Sequence, residues 1–214
     1  MNYIESFKKV KDSGISFKQG RLEMVVYEIT RDLPSVNITP FYISLTAVQC
    51  ADFMEENHIY VRNRRPLSLS SLFSNKEHSF DTTEIPRLLL DISTQIETLW
   101  SMHYTLLPFD EQDVYKIGDS YCVLSPDKVT RFEPKTLSCS LMVPVRLGHY
   151  LAPEVCSCLR LPCQTFCGKY TALYSLGIMA KNIMEDELDD DSHIGTIIRN
   201  LTHDNPSRRI PVIF

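Results

Sequence analysis

Apolar positions recur at helical spacing in three stretches of the chain. Leu22, Val25, Val26, Ile29 and Leu33 share one face of "RLEMVVYEITRDL", which predicts an amphipathic helix over about 20–33. "IPRLLLDISTQIETLWSMH" places Leu88, Leu89, Ile92, Ile96, Leu99 and Met102 on one stripe, with Pro86 in the first turn, where proline is favoured. "ALYSLGIMAKNIM" is apolar nearly all round, the pattern of a helix buried in the middle of a domain. β-branched and aromatic runs predict strands in "ITPFYISLTAV" and "HIYV", and in "DVYKI" and "SYCVL", which are joined by a Gly118-Asp119 turn. "RNRRPLSLSSLFSN" reads as a polar connection with a short helical segment, its arginines on a solvated surface. Thr130 to Pro144 reads as loop, "EDELDDD" as a solvated loop, and "HIGTIIRNLTH" as a last helix before "NPSRRIP".

Composition narrows the function classes. The 214 residues are 43% hydrophobic and 23% charged, enough apolar material for a sizeable core. A net charge of −5 leaves no general footprint for nucleic acid. No apolar run reaches the ~18 residues of a membrane span, and the start "MNYIESFKKVKDSG" lacks a signal-peptide stretch. A cytoplasmic protein is expected, so the sequons at Asn37 and Asn200 are read as chance matches. Seven cysteines are read as reduced thiols. Cys156, Cys158, Cys163 and Cys167 crowd "CSCLRLPCQTFC" and could supply four thiolates to zinc. The Cys-x-Cys spacing departs from a Cys-x2-Cys knuckle, however, and buried or idle thiols are the competing reading.

The order of elements, taken with three motifs, resembles a protein kinase. "YLAPE" at Tyr150 to Glu154 matches the Ala-Pro-Glu motif. "ALYSLGIM" is similar to the opening of the kinase F-helix, and "NPSRRIP" to its Asp-Pro-x-x-Arg-Pro closing motif. "IETLWSMH" resembles the segment before the catalytic loop, and "VY…NITPFY" resembles kinase-like proteins of large DNA viruses. The resemblance implies an α+β kinase-like fold with a reduced N-terminal lobe over 1–62 and a helical C-terminal lobe over 63–214. It makes residues 20–33 the C-helix, with Glu23 as its glutamate. It also implies a buried ion pair between Glu154 and Arg209, which locks the activation segment to the lower lobe. The chain goes from the F-helix to the closing arginine in about thirty residues, so the G-helix region is expected to be missing.

The chemistry of phosphoryl transfer is largely absent. It requires a glycine-rich lid, a lysine on the phosphates, and oxygens on Mg²⁺. No Gly-x-Gly-x-x-Gly run occurs among the seven glycines, and Lys8 and Lys9 have no Val-Ala-Ile-Lys context to make either the phosphate lysine. "LLPFDEQDVY" stands for the catalytic loop, with Asp110 at the base position. Five residues on lies Tyr115, which cannot ligate Mg²⁺ as an amide does; a gapped alignment puts Asp113 there instead. The Asp-Phe-Gly position reads Ser125-Pro126-Asp127, where Ser125 lacks the metal-holding charge and Asp127, two residues late, is expected to point elsewhere. Ala172 replaces the aspartate that braces the loop from the F-helix.

The expectation is therefore a pseudokinase with Asp110, Asp113 and Ser125 as degenerate equivalents, no catalysis and no cofactor. It would act by binding another protein, as a kinase mimic or inhibitor or by capturing a kinase substrate. The alternative is a structural component of a virus particle or large assembly, contacting neighbouring subunits. A third reading is an atypical kinase with residual nucleotide binding. No nucleic-acid or membrane partner is expected.

Overall fold

The computed structural model describes residues 8–9, 15–19, 24–29, 38–55, 58–62, 66–74, 80–136, 139, 150–158, 168–184, 188–189 and 191–212. The chain opens with an antiparallel sheet of β1 (Lys8–Lys9), β2 (Ile15–Gln19) and β3 (Met24–Ile29). It then passes through α1 (Ile38–Ala47) and returns with β4 (Phe53–Glu55) and β5 (His58–Arg62). The strand order is β1-β2-β3-β5-β4, with Val26 opposite both Lys18 and Tyr60.

This corrects the reading of the first third of the chain. Residues 24–29 form a strand where a helix over 20–33 was expected, and "ITPFYISLTA" forms a helix where a strand was expected. Over six residues, β-branched Val25, Val26 and Ile29 satisfy either pattern, and strand partners on both sides decide the outcome. In α1, Pro40 falls in the first turn, and the fully buried Phe41 and Leu45 are one turn apart on one face. Among the described residues up to 62 there are thus a five-stranded sheet and one helix, where a reduced lobe was expected.

The remainder is mostly helical. β6 (Leu67–Ser68) and α2 (Leu69–Ser74) lead to α3 (Ile85–Ser101), in which Leu88, Leu89, Ile92, Ile96 and Leu99 are all fully buried. β7 (Tyr104–Leu106), β8 (Val114–Ile117), β9 (Ser120–Val123) and β10 (Val129–Arg131) follow. β8 lies between β6 and β9, and β7 pairs with β10, so the expected loop over 130–144 begins as strand. α4 (Pro153–Cys158), α5 (Lys169–Ile183) and α6 (His193–Leu201) complete the chain, and a 3₁₀ turn over Pro206–Arg208 brings in the closing segment.

α3 is the central post, packed against α1, α5, β7 and β9. Two of its buried polar side chains finish the open edge of β9. The Gln95 amide donates to the Val123 carbonyl (3.0 Å) and accepts from the Val123 N–H (2.8 Å). Asp91 accepts from the Tyr121 N–H (3.0 Å). Backbone groups on a buried strand edge need partners, and α3 provides them in place of another strand. Gln95 also donates to Ser44 (3.3 Å), tying α1 to the same point. Among the described residues, no helix is long and apolar enough to cross a membrane.

Candidate functional site

The segment after β7 folds back on the segment after β9, and this brings Asp110, Asp113 and Ser125 together. The Leu107 N–H donates to the Lys128 carbonyl (2.7 Å), and the Leu124 N–H to the Asp113 carbonyl (2.8 Å). Asp110 Oδ1 accepts from the Gln112 N–H (2.9 Å), an Asx-type turn that shapes the loop. Both oxygens of the Asp113 carboxylate have partners within the protein. Oδ1 accepts from Ser125 Oγ (2.7 Å), while Oδ2 accepts from the Asp110 N–H (3.2 Å) and lies 3.4 Å from Lys128 Nζ. The same ammonium donates to the Pro108 carbonyl (3.0 Å).

Asp127, in the 3₁₀ turn Pro126–Lys128, is half-buried and feels the charges of Lys128 and Asp113. Burial pushes its carboxyl up from the ordinary value, with Lys128 pulling the other way; Asp110 is pushed up by burial too. Asp127 Oδ1 is buried with no hydrogen-bond partner among the described residues. A carboxyl raised in the native state contributes stability below its unfolded value and loses it as pH rises through the native one. At neutral pH, therefore, ionised Asp127 costs stability. Asp127→Asn is expected to raise the melting temperature by a few degrees near neutrality, with the gain shrinking as pH falls through the raised native value and gone below the ordinary carboxylate value of about 4. Thermal melts across that range check it, and a constant or reversed difference would refute the sign.

A second cluster holds the segment after 150 to the end of the chain. The Arg209 side chain, fully buried, donates through Nη1 to Glu154 Oε1 (2.6 Å) and through Nη2 to Oε2 (2.9 Å). It also donates to the carbonyls of His203 (2.8 Å), Tyr170 (2.9 Å) and Asp204 (3.2 Å), and its guanidinium lies 4.8 Å from the Tyr174 ring centroid. All five guanidinium N–H groups have an acceptor. Glu154 Oε1 further accepts from Thr171 Oγ1 (3.0 Å), next to the fully buried Ala172 on α5.

Tyr150 joins the two clusters. Its hydroxyl donates to Glu111 in the acidic loop, and its carbonyl accepts from Ser175 Oγ on α5 (2.9 Å). Burial and the Glu111 hydrogen bond push its phenol up to about 12, so it stays protonated and remains a donor at neutral pH.

The other sequence candidates fare differently. Glu23, Cys163 and Cys167 lie outside the described residues, as does the Cys158 side chain; Cys156 is exposed. No group of three or more metal-ligating side chains forms among the described residues. Lys8 and Lys9, weighed as phosphate lysines, are on the edge strand β1, and β3 contains no lysine. Sequence reasoning missed Lys128, whose role depends on the fold-back of two segments and not on any motif.

No family model matches the chain, and no curated protein matches its sequence.

Proposed function

We propose that the protein is a catalytically inactive kinase-like protein that acts by binding another protein, either a kinase or a kinase substrate. The observation that carries this reading is the state of Asp113. Phosphoryl transfer depends on carboxylate or amide oxygens left open for Mg²⁺. Here both oxygens of the acid at that place are taken by Ser125, the Asp110 N–H and Lys128.

Four further features support it. The five-stranded sheet with one helix, followed by a mostly helical part, is compatible with the two lobes that the resemblance implies. With α1 in the position of the C-helix, "ITPFYISLTA" offers no acid to hold a lysine, and β3 offers no lysine to be held. The Glu154–Arg209 pair is the kind of anchor that outlasts catalysis, because its contribution is to the scaffold. The short distance from Ile183 to His193 leaves little room for a G-helix.

The test has two arms. ATP with Mg²⁺ or Mn²⁺ is expected to leave the melting temperature unchanged, since only a ligand that binds the native state raises it. Affinity capture from cell extract is expected to retain a kinase-family protein or its substrate, with reduced phosphorylation of that substrate. A nucleotide-dependent shift abolished by Asp113→Ala would overturn the inactive assignment. Stoichiometric recovery in a large particle, with no kinase or substrate bound, would favour the structural-component alternative.

A further inference from the structure

We infer that Lys128 is a built-in counter-cation, which closes the acidic loop over residues 107–113 on the 124–128 segment without any bound ligand. Asp110, Asp113 and Asp127 converge within charge-interaction range of this one ammonium. Burial and neighbouring carboxylates work against ionisation of Asp110 and Asp127, so a positive charge beside them is favourable. The chain supplies the charge itself. The Lys128 backbone is fixed on both sides, with its N–H on the Ser125 carbonyl (2.9 Å) and its carbonyl on the Leu107 N–H (2.7 Å). Its side chain then bridges the Pro108 carbonyl and Asp113, spanning from one segment to the other.

Surface lysines ordinarily sweep freely through solvent, but this one is only 28% exposed and Asp113 only 16%. An ammonium also has three donors and no acceptor, which suits a site made of a carbonyl and carboxylates. The consequence is a loop whose closed form does not depend on an external cation. This deepens the non-catalytic reading of the same centre, but it is carried by the Lys128 contacts to Pro108 and Asp113 and survives if no kinase-related partner is found.

Neutralising Lys128 provides the test. Lys128→Gln keeps a donor for the Pro108 carbonyl and removes the positive charge. It is expected to lower the melting temperature by about 3–8 °C. Millimolar Mg²⁺ or Ca²⁺ is expected to recover at least half of that loss in the variant while leaving the wild-type protein unmoved. Lys128→Gln combined with Asp113→Asn removes one charge of each sign and is expected to regain the loss without any cation. If Lys128→Gln alone does not fold, the double variant must. A wild-type protein stabilised by either cation, a Lys128→Gln protein indifferent to both, or a double variant at least as unstable as the single one would each overturn the inference.

Discussion

Arg209→Leu is expected to destabilise the protein by about 3–5 kcal/mol, the usual cost of removing one partner from a buried pair. For a chain of this size that is a fall on the order of 10 °C in melting temperature. The cost goes beyond a lost ion pair. Arg209 donates to three backbone carbonyls as well as to Glu154, and leucine would remove that donor from those of His203 and Asp204, and from that of Tyr170, which keeps its place in the α5 ladder. Glu154 is less confined, with 19% of its side chain exposed against none for Arg209, so water can reach it when its partner is gone.

The ordering of variants follows from this asymmetry. Glu154→Gln keeps the shape and an acceptor, and is expected to cost less than Arg209→Leu. Arg209→Lys is expected to recover less than half of the leucine loss, because one ammonium cannot serve both carboxylate oxygens and three divergent carbonyls. Isolated buried ion pairs can often be exchanged for apolar residues at no cost. Here the joint Glu154→Leu and Arg209→Leu variant is expected to stay well below wild type, because the orphaned carbonyls persist. Urea and thermal denaturation of the four variants decide the point. A double variant as stable as wild type would show that the carbonyl contacts carry nothing.

What could be read from sequence follows a physical division. α3 was legible because its single apolar stripe admits only the helical period, and α5 because a run apolar nearly all round and fifteen residues long exceeds an ordinary strand. β3 and α1 were exchanged because six to ten residues rich in β-branched and aromatic side chains fit both periods. The deciding interactions there are remote: β3 pairs with β5, some thirty positions later. Asp110, Asp113 and Ser125 were legible as a group from their order along the chain, and Glu154 with Arg209 from paired motifs fifty-five positions apart. Lys128 was not, since a lysine next to an aspartate is ordinary until the backbone brings Pro108 and Asp113 to it.

Gly177 belongs with the features that only packing reveals, and replacing it is expected to have the second-largest effect. A Cβ there would lie 2.7 Å from Leu201 Cβ, 2.8 Å from Thr202 Cγ2 and 3.2 Å from the Leu201 carbonyl carbon. Two considerations oppose each other in Gly177→Ala. Alanine favours the helix by about 1 kcal/mol over glycine. Overpacking a buried contact costs about 1–3 kcal/mol. The contact wins, because Leu201 is fully buried at the end of α6 and its Cβ is not the far end of a flexible side chain. Relief requires α6 to move outward, and the residues that follow it present the His203 and Asp204 carbonyls to Arg209. Gly177→Ala is therefore expected to lower stability and to loosen the Arg209 cage with it, and Gly177→Val to do so further. Combining Gly177→Ala with Arg209→Leu separates the two effects. Losses well short of additive mean that α6 placement and the cage are one unit, whereas an alanine variant as stable as wild type would show that α6 yields freely.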